Sequence, residues 1–354
     1  MSTDAVLWQR LAEADIVHGE APGASPPADA WFIAAMVGGA AWFAALFILA
    51  FLGIALHDVV KSPAAVMVLG LVVTGAAVAA LMHWGDRVFI DQLAFAFSLA
   101  GQALVLIGLL MPGSLQAPVA WWLFAAFEAV LIALVDHAGH RVVTTFAGAT
   151  AVLAGLASTW AADWFLPLVL AGFVASEAVL LSGTRRHALW EAIALGLMLA
   201  ALAGMIHGGV PDLWSERRSP PGAMELIRAS AHVALVIVGA VAACVLVRDA
   251  GARVASARGA LAPIALAAFM AVAWPVPSAA VALVMLLLAF AASQRVLMGL
   301  ALVSLVAALV HHYYRLDTSL LDKSAGLMVA AVVLLGARAA VRNLLPATGG
   351  TRRA

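Results

Sequence analysis

Apolar runs recur along this 354-residue chain, and most are about 17–25 residues long, the length of a helix that crosses a bilayer. Hydrophobic residues make up 65% and charged residues 11% of the sequence, whereas soluble domains have about 45–50% and about 25%. The sequence therefore predicts an all-α, polytopic integral membrane helix bundle with about twelve transmembrane helices in a lipid bilayer. The approximate spans are 31–56, 64–83, 93–111, 118–135, 142–160, 164–182, 188–206, 229–247, 260–274, 276–292, 296–312 and 320–337.

The ninth and tenth runs are short, and only Pro275 and Pro277 divide them. Two interpretations stay open for this pair. The runs form two separate spans, or they form one re-entrant or broken element, which a membrane protein tolerates where the backbone is buried in protein.

The distribution of Lys and Arg between the loops predicts the orientation. With twelve spans, thirteen of the nineteen basic residues fall on the side that holds both termini. Cytoplasmic loops carry the excess of basic residues, so we expect both termini in the cytoplasm. The predicted organisation is a short N-terminal helix with a Pro-rich linker over 1–30, a single transmembrane domain over 31–340 and a basic cytoplasmic tail over 341–354.

Three glutamates lie inside predicted spans, in the cytoplasmic half: Glu128, Glu177 and Glu191. Ionisable side chains in a membrane are expensive and are candidates for function. Such carboxyl groups can relay protons or hold a cation. Alternatively each is neutral or hydrogen-bonds to a neighbouring helix, and Glu191 can pair with His187 one turn away.

The sequences Glu128-Ala129-Val130-Leu131 and Glu177-Ala178-Val179-Leu180 are identical and 49 residues apart. Each comes near the end of a span that runs in the same direction. A repeated two-helix unit can produce this echo, and so can chance in a chain rich in alanine and leucine.

The third span carries a polar stripe, Asp91, Ser98 and Gln102. The spacings of seven and four residues place these side chains on one helical face. We expect this face to pack on another helix through interhelical hydrogen bonds. The alternative is that it lines a polar cavity.

The segment 311–324 contains both tyrosines of the chain and lies between the last two predicted spans, on the external side. Tyr and Arg are typical anchors of protein interfaces, so this segment predicts a contact with a partner. The candidate contact residues are His311, His312, Tyr313, Tyr314, Arg315, Asp317 and Lys323.

The sequence predicts no catalytic residues, no metal site and no cofactor. It has no P-loop, G-x-S-x-G, H-E-x-x-H or G-x-G-x-x-G motif, the common signatures of nucleotide, hydrolase and metal chemistry. His311 and His312 are adjacent and point about 100° apart on a helix, a poor geometry for a shared metal. The formal net charge of zero argues against nucleic-acid binding, which needs a basic face.

Distinctive motifs lie near both ends of the chain. The C-terminal motif is Tyr313-Tyr314-x-Leu316-x-x-x-Leu320-Leu321-x-Lys323-Ser324, followed by an apolar helix that ends in Gly336-Ala337-Arg338. The N-terminal features are Leu11, Val17-His18-Gly19-Glu20, a proline-rich linker, Trp42-Phe43-x-Ala45-Leu46-Phe47, Phe51-Leu52-Gly53 and Ser98-Leu99-Ala100-Gly101-Gln102. Together these motifs resemble those of a bacterial multispanning family, domain of unknown function 4401.

The resemblance implies a partner but no established activity. The implied partner is a single-span, membrane-anchored protein with a GDYxxLxY motif, whose folded part lies outside the cytoplasmic membrane. Charge counting independently places the segment 311–324 on that same side. The resemblance also implies a location in the bacterial cytoplasmic (inner) membrane.

Three functions are compatible with these features. The first is a non-catalytic subunit or scaffold for the anchored periplasmic partner. The second is a secondary transporter or flippase that uses the intramembrane glutamates. The third is a membrane-embedded enzyme acting on lipid or glycan, with His311, His312, Asp317 and Asp322 as acid and base groups.

Overall fold

The computed structural model describes residues 8, 10–16, 31–55, 61–84, 87–112, 116–159, 161–183, 186–207, 222–249, 251, 257–272, 276–315, 321 and 328. All regular structure in these residues is helical, and they contain no strand. The predicted all-α class is therefore confirmed. In the N-terminal segment, Trp8 and residues 10–13 have helical backbone.

Eleven helices of fifteen residues or more follow one another along the described part of the chain. They are α1 (Trp31–Ala55), α2 (Pro63–Trp84), α3 (Val88–Leu110), α4 (Ala117–Leu134), α5 (Ala138–Ser158), α6 (Phe165–Leu181), α7 (His187–His207), α8 (Ala223–Asp249), α9 (Ala257–Val272), α10 (Pro277–Ala291) and α11 (Arg295–Arg315). A short 3-10 turn, Ala162–Trp164, precedes α6.

Each of the first eleven predicted spans overlaps one of these helices. The ninth and tenth runs form two separate helices, because α9 ends at Val272 and α10 begins at Pro277. Proline suits the first turn of a helix, where its missing N–H has no partner to lose. The twelfth predicted span, 320–337, and the tail 341–354 lie outside the described residues apart from 321 and 328. Twelve spans and two cytoplasmic termini therefore stay predictions.

Eight of the described helices are long and apolar enough to cross a membrane: α2 to α8 and α11. Two shorter apolar stretches, Met36–Ile48 and Pro277–Ala291, accompany them. Large apolar side chains also cover the outside of these helices, for example Phe43, Phe47 and Phe51 on α1. The protein is therefore a multi-pass membrane protein.

The contacts divide the chain into two compact units. Unit 1 takes its described residues from Met1–Lys61 and Val68–Ala103, which is α1 with most of α2 and α3. In unit 1, α1 meets α3 through Trp42, whose indole N–H donates to Gln92 Oε1 at 3.2 Å and whose ring packs edge-on against Phe95. Helix α2 meets α3 at Gly101, where the absence of a side chain admits the backbone of Thr74.

Unit 2 takes its described residues from Ser62–Met67 and Leu104–Ala354. In it α5 packs against α4 and α7, and α7 packs against α6 and α11 as well. Helices α8 and α9 pair with each other, as do α10 and α11. The core between these helices is filled by large buried side chains, including Phe165, Phe173, Met198, Met285 and Leu288.

Candidate functional site

The buried polar side chains of α4 to α7 collect at one end of unit 2. Short connections at 135–137, 159–164 and 182–186 make these helices alternate in direction. The last turns of α4 and α6 and the first turns of α5 and α7 therefore share one end, here called the polar end. Its buried polar residues are Glu128, His140, Arg141, Thr144, Thr145, Ser176 and Glu177.

Glu128 lies on the face of α4 that packs against α5. The residue is fully buried, and neither carboxyl oxygen has a hydrogen-bond partner. It faces Gly148 of α5 so closely that a methyl group placed on that glycine would lie 3.1 Å from the Glu128 Cβ. The glycine therefore lets the base of the glutamate side chain pack directly on the α5 backbone.

Glu177 occupies a comparable position near the end of α6. It is fully buried, and both of its carboxyl oxygens are also without a hydrogen-bond partner. The hydroxyl of the preceding Ser176 donates to the Gly172 carbonyl at 2.9 Å. Glu191 on α7 lies close enough to interact electrostatically with Glu177.

The third candidate, Glu191, differs from the other two because its side chain is 56% exposed. Its carboxyl lies 3.6 Å from His187 Nδ1, one helical turn earlier. This is the pairing that the four-residue spacing predicts. The structure thus separates the three glutamates into two that are buried without a partner and one that is exposed with a partner.

Arg141 ties the start of α5 to the end of α4. Its guanidinium pairs with Asp136 and donates to the Ile132 carbonyl at 3.3 Å, one of the carbonyls that a helix end leaves without an intrahelical partner. His137 caps α5, since its Nδ1 accepts from the His140 backbone N–H at 3.0 Å. The Thr144 hydroxyl donates back to the His140 carbonyl at 2.9 Å.

Sequence reasoning missed His140, Arg141, Thr144 and Thr145 as part of this end. The predicted fifth span began at 142, whereas α5 begins at Ala138, so the first two of these residues counted as loop. The signal that could have found them is the four-residue spacing of His140, Thr144 and Gly148, which puts all three on one helical face.

The polar stripe of α3 lies in unit 1 and is buried at Ser98 and Gln102. The Gln102 amide donates to the Ser98 hydroxyl at 3.2 Å, which is a bond along the same helix. The Asp91 carboxylate accepts from the amide of its neighbour Gln92 at 3.3 Å. Gln92, next to the stripe on α3, accepts an interhelical bond from the Trp42 indole of α1.

The predicted partner-contact residues begin on the last turn of α11. His311, His312 and Tyr313 are half-buried, whereas Tyr314 is 78% exposed and stands edge-on to the Tyr313 ring with centroids 5.7 Å apart. Helix α11 continues to Arg315, three residues past the end of the eleventh predicted span at 312. Nothing in the His-His-Tyr-Tyr sequence breaks a helix. The Arg315 side chain, Asp317 and Lys323 lie outside the described residues.

The described residues contain no group of three or more His, Cys, Asp or Glu side chains placed to hold a metal ion. No curated protein and no solved structure matches the chain. A family model does match it, over residues 30–344. The chain therefore belongs to the family described as Domain of unknown function (DUF4401), in agreement with the motifs near its two ends.

Proposed function

We propose that this protein is a secondary transporter or flippase whose working groups are the carboxyls of Glu128 and Glu177. The observation that carries the proposal is that both are fully buried in membrane-length helices without a hydrogen-bond partner. Burial of a carboxyl group without compensation is costly. Unsatisfied buried groups call for an explanation, and a functional role is one.

The packing around the two glutamates favours a working site over a structural bond. A structural glutamate would donate to or accept from a neighbouring helix, as Arg141 does with Asp136 and the Ile132 carbonyl. Glu128 instead meets Gly148, which offers no side-chain group to bond. A carboxyl group in this state is available to bind an ion during a transport cycle.

Transport by the purified protein in liposomes tests this proposal. Current on a solid-supported membrane would be recorded after concentration jumps of amino acids, sugars, nucleosides and organic acids, with and without a pH gradient. Lipid flipping would be followed by quenching of a fluorescent phospholipid. We expect one of these probes to give a signal that Glu128→Gln and Glu177→Gln abolish.

Glu225→Gln is the control, because this side chain is exposed in the first turn of α8, at the end of unit 2 opposite to Glu177. It should leave the transport signal intact. A signal that survives both Glu128→Gln and Glu177→Gln would rule out the assigned role of these carboxyls.

A second candidate is a non-catalytic subunit or scaffold that holds a membrane-anchored periplasmic partner with a GDYxxLxY motif. The observation that favours it is the exposed Tyr314 ring at the end of α11. Aromatic side chains that are exposed and held by a neighbouring ring are suitable anchors for a partner.

Crosslinking in intact cells tests the second candidate. A photoreactive phenylalanine analogue at position 314 should crosslink to a single-span protein, and Tyr314→Ala should reduce the yield of that protein in co-purification. Phe290 of α10, also exposed, is the matched control position. Equal crosslinking at positions 290 and 314 would contradict a specific contact at Tyr314.

The proposed location is the bacterial cytoplasmic membrane with both termini in the cytoplasm. The support is the excess of Lys and Arg in loops on the side of the termini. A green fluorescent protein fused to the C-terminus should fluoresce, and alkaline phosphatase fused there should be inactive. The opposite pattern would reverse the orientation.

A further inference from the structure

Glu128 and Glu177 lie 49 residues apart. Many other residues of α4–α5 are identical to the residue of α6–α7 that lies 49 positions later. The correspondence begins with a proline in the first turn of each leading helix and ends with a Leu-Ala-Gly sequence in each following helix. The identical pairs are Pro118/Pro167, Phe124/Phe173, Ala126/Ala175, Glu128/Glu177, Ala129/Ala178, Val130/Val179, Leu131/Leu180, Ala151/Ala200, Leu153/Leu202, Ala154/Ala203 and Gly155/Gly204.

The helix boundaries follow the same offset. Helices α5 (Ala138–Ser158) and α7 (His187–His207) are both 21 residues long, so each end of α5 lies 49 residues before the corresponding end of α7. Helices α4 and α6 agree to within two residues at each end. The sequence match therefore joins structurally equivalent positions of two helical hairpins.

Equivalent residues are also buried alike. The glutamates are fully buried in both hairpins, and the phenylalanines one turn before them and the leucines three residues after them are buried as well. Gly155 faces the Trp122 ring of α4, at 3.2 Å from the position of a Cβ. Gly204 faces the Phe165 ring of α6. In each hairpin the glycine of the second helix thus contacts an aromatic ring of the first, although Trp122 and Phe165 do not lie at equivalent positions.

We propose that α4–α5 and α6–α7 are two copies of one helical hairpin, and that Glu128 and Glu177 are equivalent binding sites for one proton each. The proposal names the ion of the proposed transport function and rests on that function for its role. The ionised form of a buried carboxyl group needs a cation or several donors nearby. Neither is bonded to these oxygens, so it is the neutral, protonated form that the surroundings can hold.

The chemistry of the site favours a proton over a metal cation. Calcium and magnesium take six or more oxygen ligands, which carboxylates, carbonyl groups and water supply together. Each glutamate supplies a single carboxyl group, and no group of three possible metal ligands is found in the described part of the chain. A proton needs one carboxyl oxygen and no further ligand.

Charged and titratable groups on the packed helices differ between the two sites. Around Glu128, α5 contributes His140 and Arg141, and the guanidinium of Arg141 is already paired with Asp136. Around Glu177, α7 contributes Glu191 with its partner His187. Helix α10 has no titratable side chain between Pro277 and Ala291.

Helix α8 also packs on α6, and the two helices run in the same direction because Arg228 near the start of α8 lies 3.9 Å from Asp163 near the start of α6. The last turn of α8, with Arg248 and Asp249, therefore lies towards the polar end. It adds one positive and one negative group there, so its net charge favours neither form of the Glu177 carboxyl.

Modification by dicyclohexylcarbodiimide in native membranes tests this inference. The reagent adds to the protonated form of carboxyl groups in apolar surroundings, and proteolysis with mass spectrometry locates the adducts. We expect adducts at both Glu128 and Glu177, with yields that fall together as the pH is raised. Glu128→Gln should lose one adduct, Glu177→Gln the other, and the exposed Glu191 should stay unmodified in the same samples.

Infrared spectroscopy of the purified protein provides a readout without a reagent. The C=O stretching band of a protonated carboxylic acid should be present in the wild type and be lost in the double variant. Modification of only one glutamate would overturn the equivalence of the two sites. Absence of both adducts and of the infrared band at every pH at which the protein stays folded would overturn proton binding.

These results are independent of the transport assay. Two modified glutamates without a transport signal would refute the proposed function and leave the proton sites standing. A transport signal that depends on both glutamates, with neither protonated, would refute the proton sites and leave the proposed function standing.

Discussion

The polar stripe of α3 in unit 1 and the two buried glutamates of unit 2 both lie inside membrane-length helices, yet only the stripe satisfies its polar atoms. The Gln102 amide donates to the Ser98 hydroxyl one turn away. The carboxyl oxygens of Glu128 and Glu177 have no hydrogen-bond partner in the part of the chain that the structure describes.

The difference follows from the chemistry of the side chains. An amide has donors and an acceptor, so it can find a partner on its own helix, where hydroxyl and carbonyl groups recur at each turn. In its ionised form a carboxyl group accepts only, and the N–H groups within a helix are already used, so these surroundings offer the ionised form no partner. Burial of a polar group in a membrane helix therefore indicates structure when the group is satisfied, and a candidate site when it is not.

The largest expected effect is on transport. Glu128→Gln and Glu177→Gln should reduce proton-driven transport to the background of empty liposomes, because an amide cannot take up and release a proton in the same range. Gln102→Met in α3 should leave the transport rate close to that of the wild type. Loss of transport in Gln102→Met, with transport retained in Glu128→Gln, would mean that the polar stripe of α3 is functional and that Glu128 is not.

Close helix packing at a glycine should contribute equally to the stability of both units. In unit 1, a methyl group on Gly101 would lie 2.7 Å from the Thr74 backbone nitrogen, and in unit 2 a methyl group on Gly196 would lie 2.7 Å from the Val142 carbonyl oxygen. Gly101→Ala and Gly196→Ala should each lower the free energy of unfolding in mixed micelles by about 1–3 kcal/mol, since backbone must move.

Gly75 of α2 is the control for both variants, because its missing side chain faces open space. Gly75→Ala should be neutral or gain up to about 1 kcal/mol through the higher helix propensity of alanine. If Gly101→Ala and Gly75→Ala are equally stable, the close approach of α2 to α3 is incorrect.

Replacement by methionine should change stability with opposite sign in the two regions. Glu177→Met removes an uncompensated polar group and should raise the free energy of unfolding by about 1–2 kcal/mol. Gln102→Met removes the bond to Ser98 on the same helix and should lower it by about 0.5–1.5 kcal/mol, the net contribution of a typical intramolecular hydrogen bond. A loss of stability in Glu177→Met would reveal a bonded, structural carboxyl group.

Apolar run length predicted where the helices are, and seven of the eleven described helices begin within one residue of the predicted start; α3, α5 and α8 begin clearly earlier. Helix α3 begins at Val88 rather than 93, α5 at Ala138 rather than 142, and α8 at Ala223 rather than 229. In each case the early residues include polar ones, such as Asp91, Arg141 and Arg228. A helix keeps its backbone bonds through the polar edge of the membrane, whereas a count of apolar residues stops there.

The sequence identified the glutamates of the polar end but did not predict which of them are buried. The three glutamates were identified because charge inside an apolar run is rare. Their division into two buried groups and one exposed group depends on which face of α4, α6 and α7 meets another helix. In particular, Gly148 lies twenty residues from Glu128, and only the packing of α5 on α4 shows that the two meet.

The smallest expected effects come from bonds at the edges of the two units. Asp136→Asn weakens an ion pair whose carboxylate is 90% exposed while Arg141 keeps its bond to the Ile132 carbonyl, so it should cost less than about 1 kcal/mol. Trp42→Phe in unit 1 removes one exposed bond to Gln92 but keeps a ring against Phe95, and it should cost about as little. Urea unfolding in mixed micelles measures both variants against the wild type. A loss of several kcal/mol in Asp136→Asn would mean that the ion pair holds α4 and α5 together. In that case the ion pair, rather than the contact of Glu128 with Gly148, would stabilise the polar end.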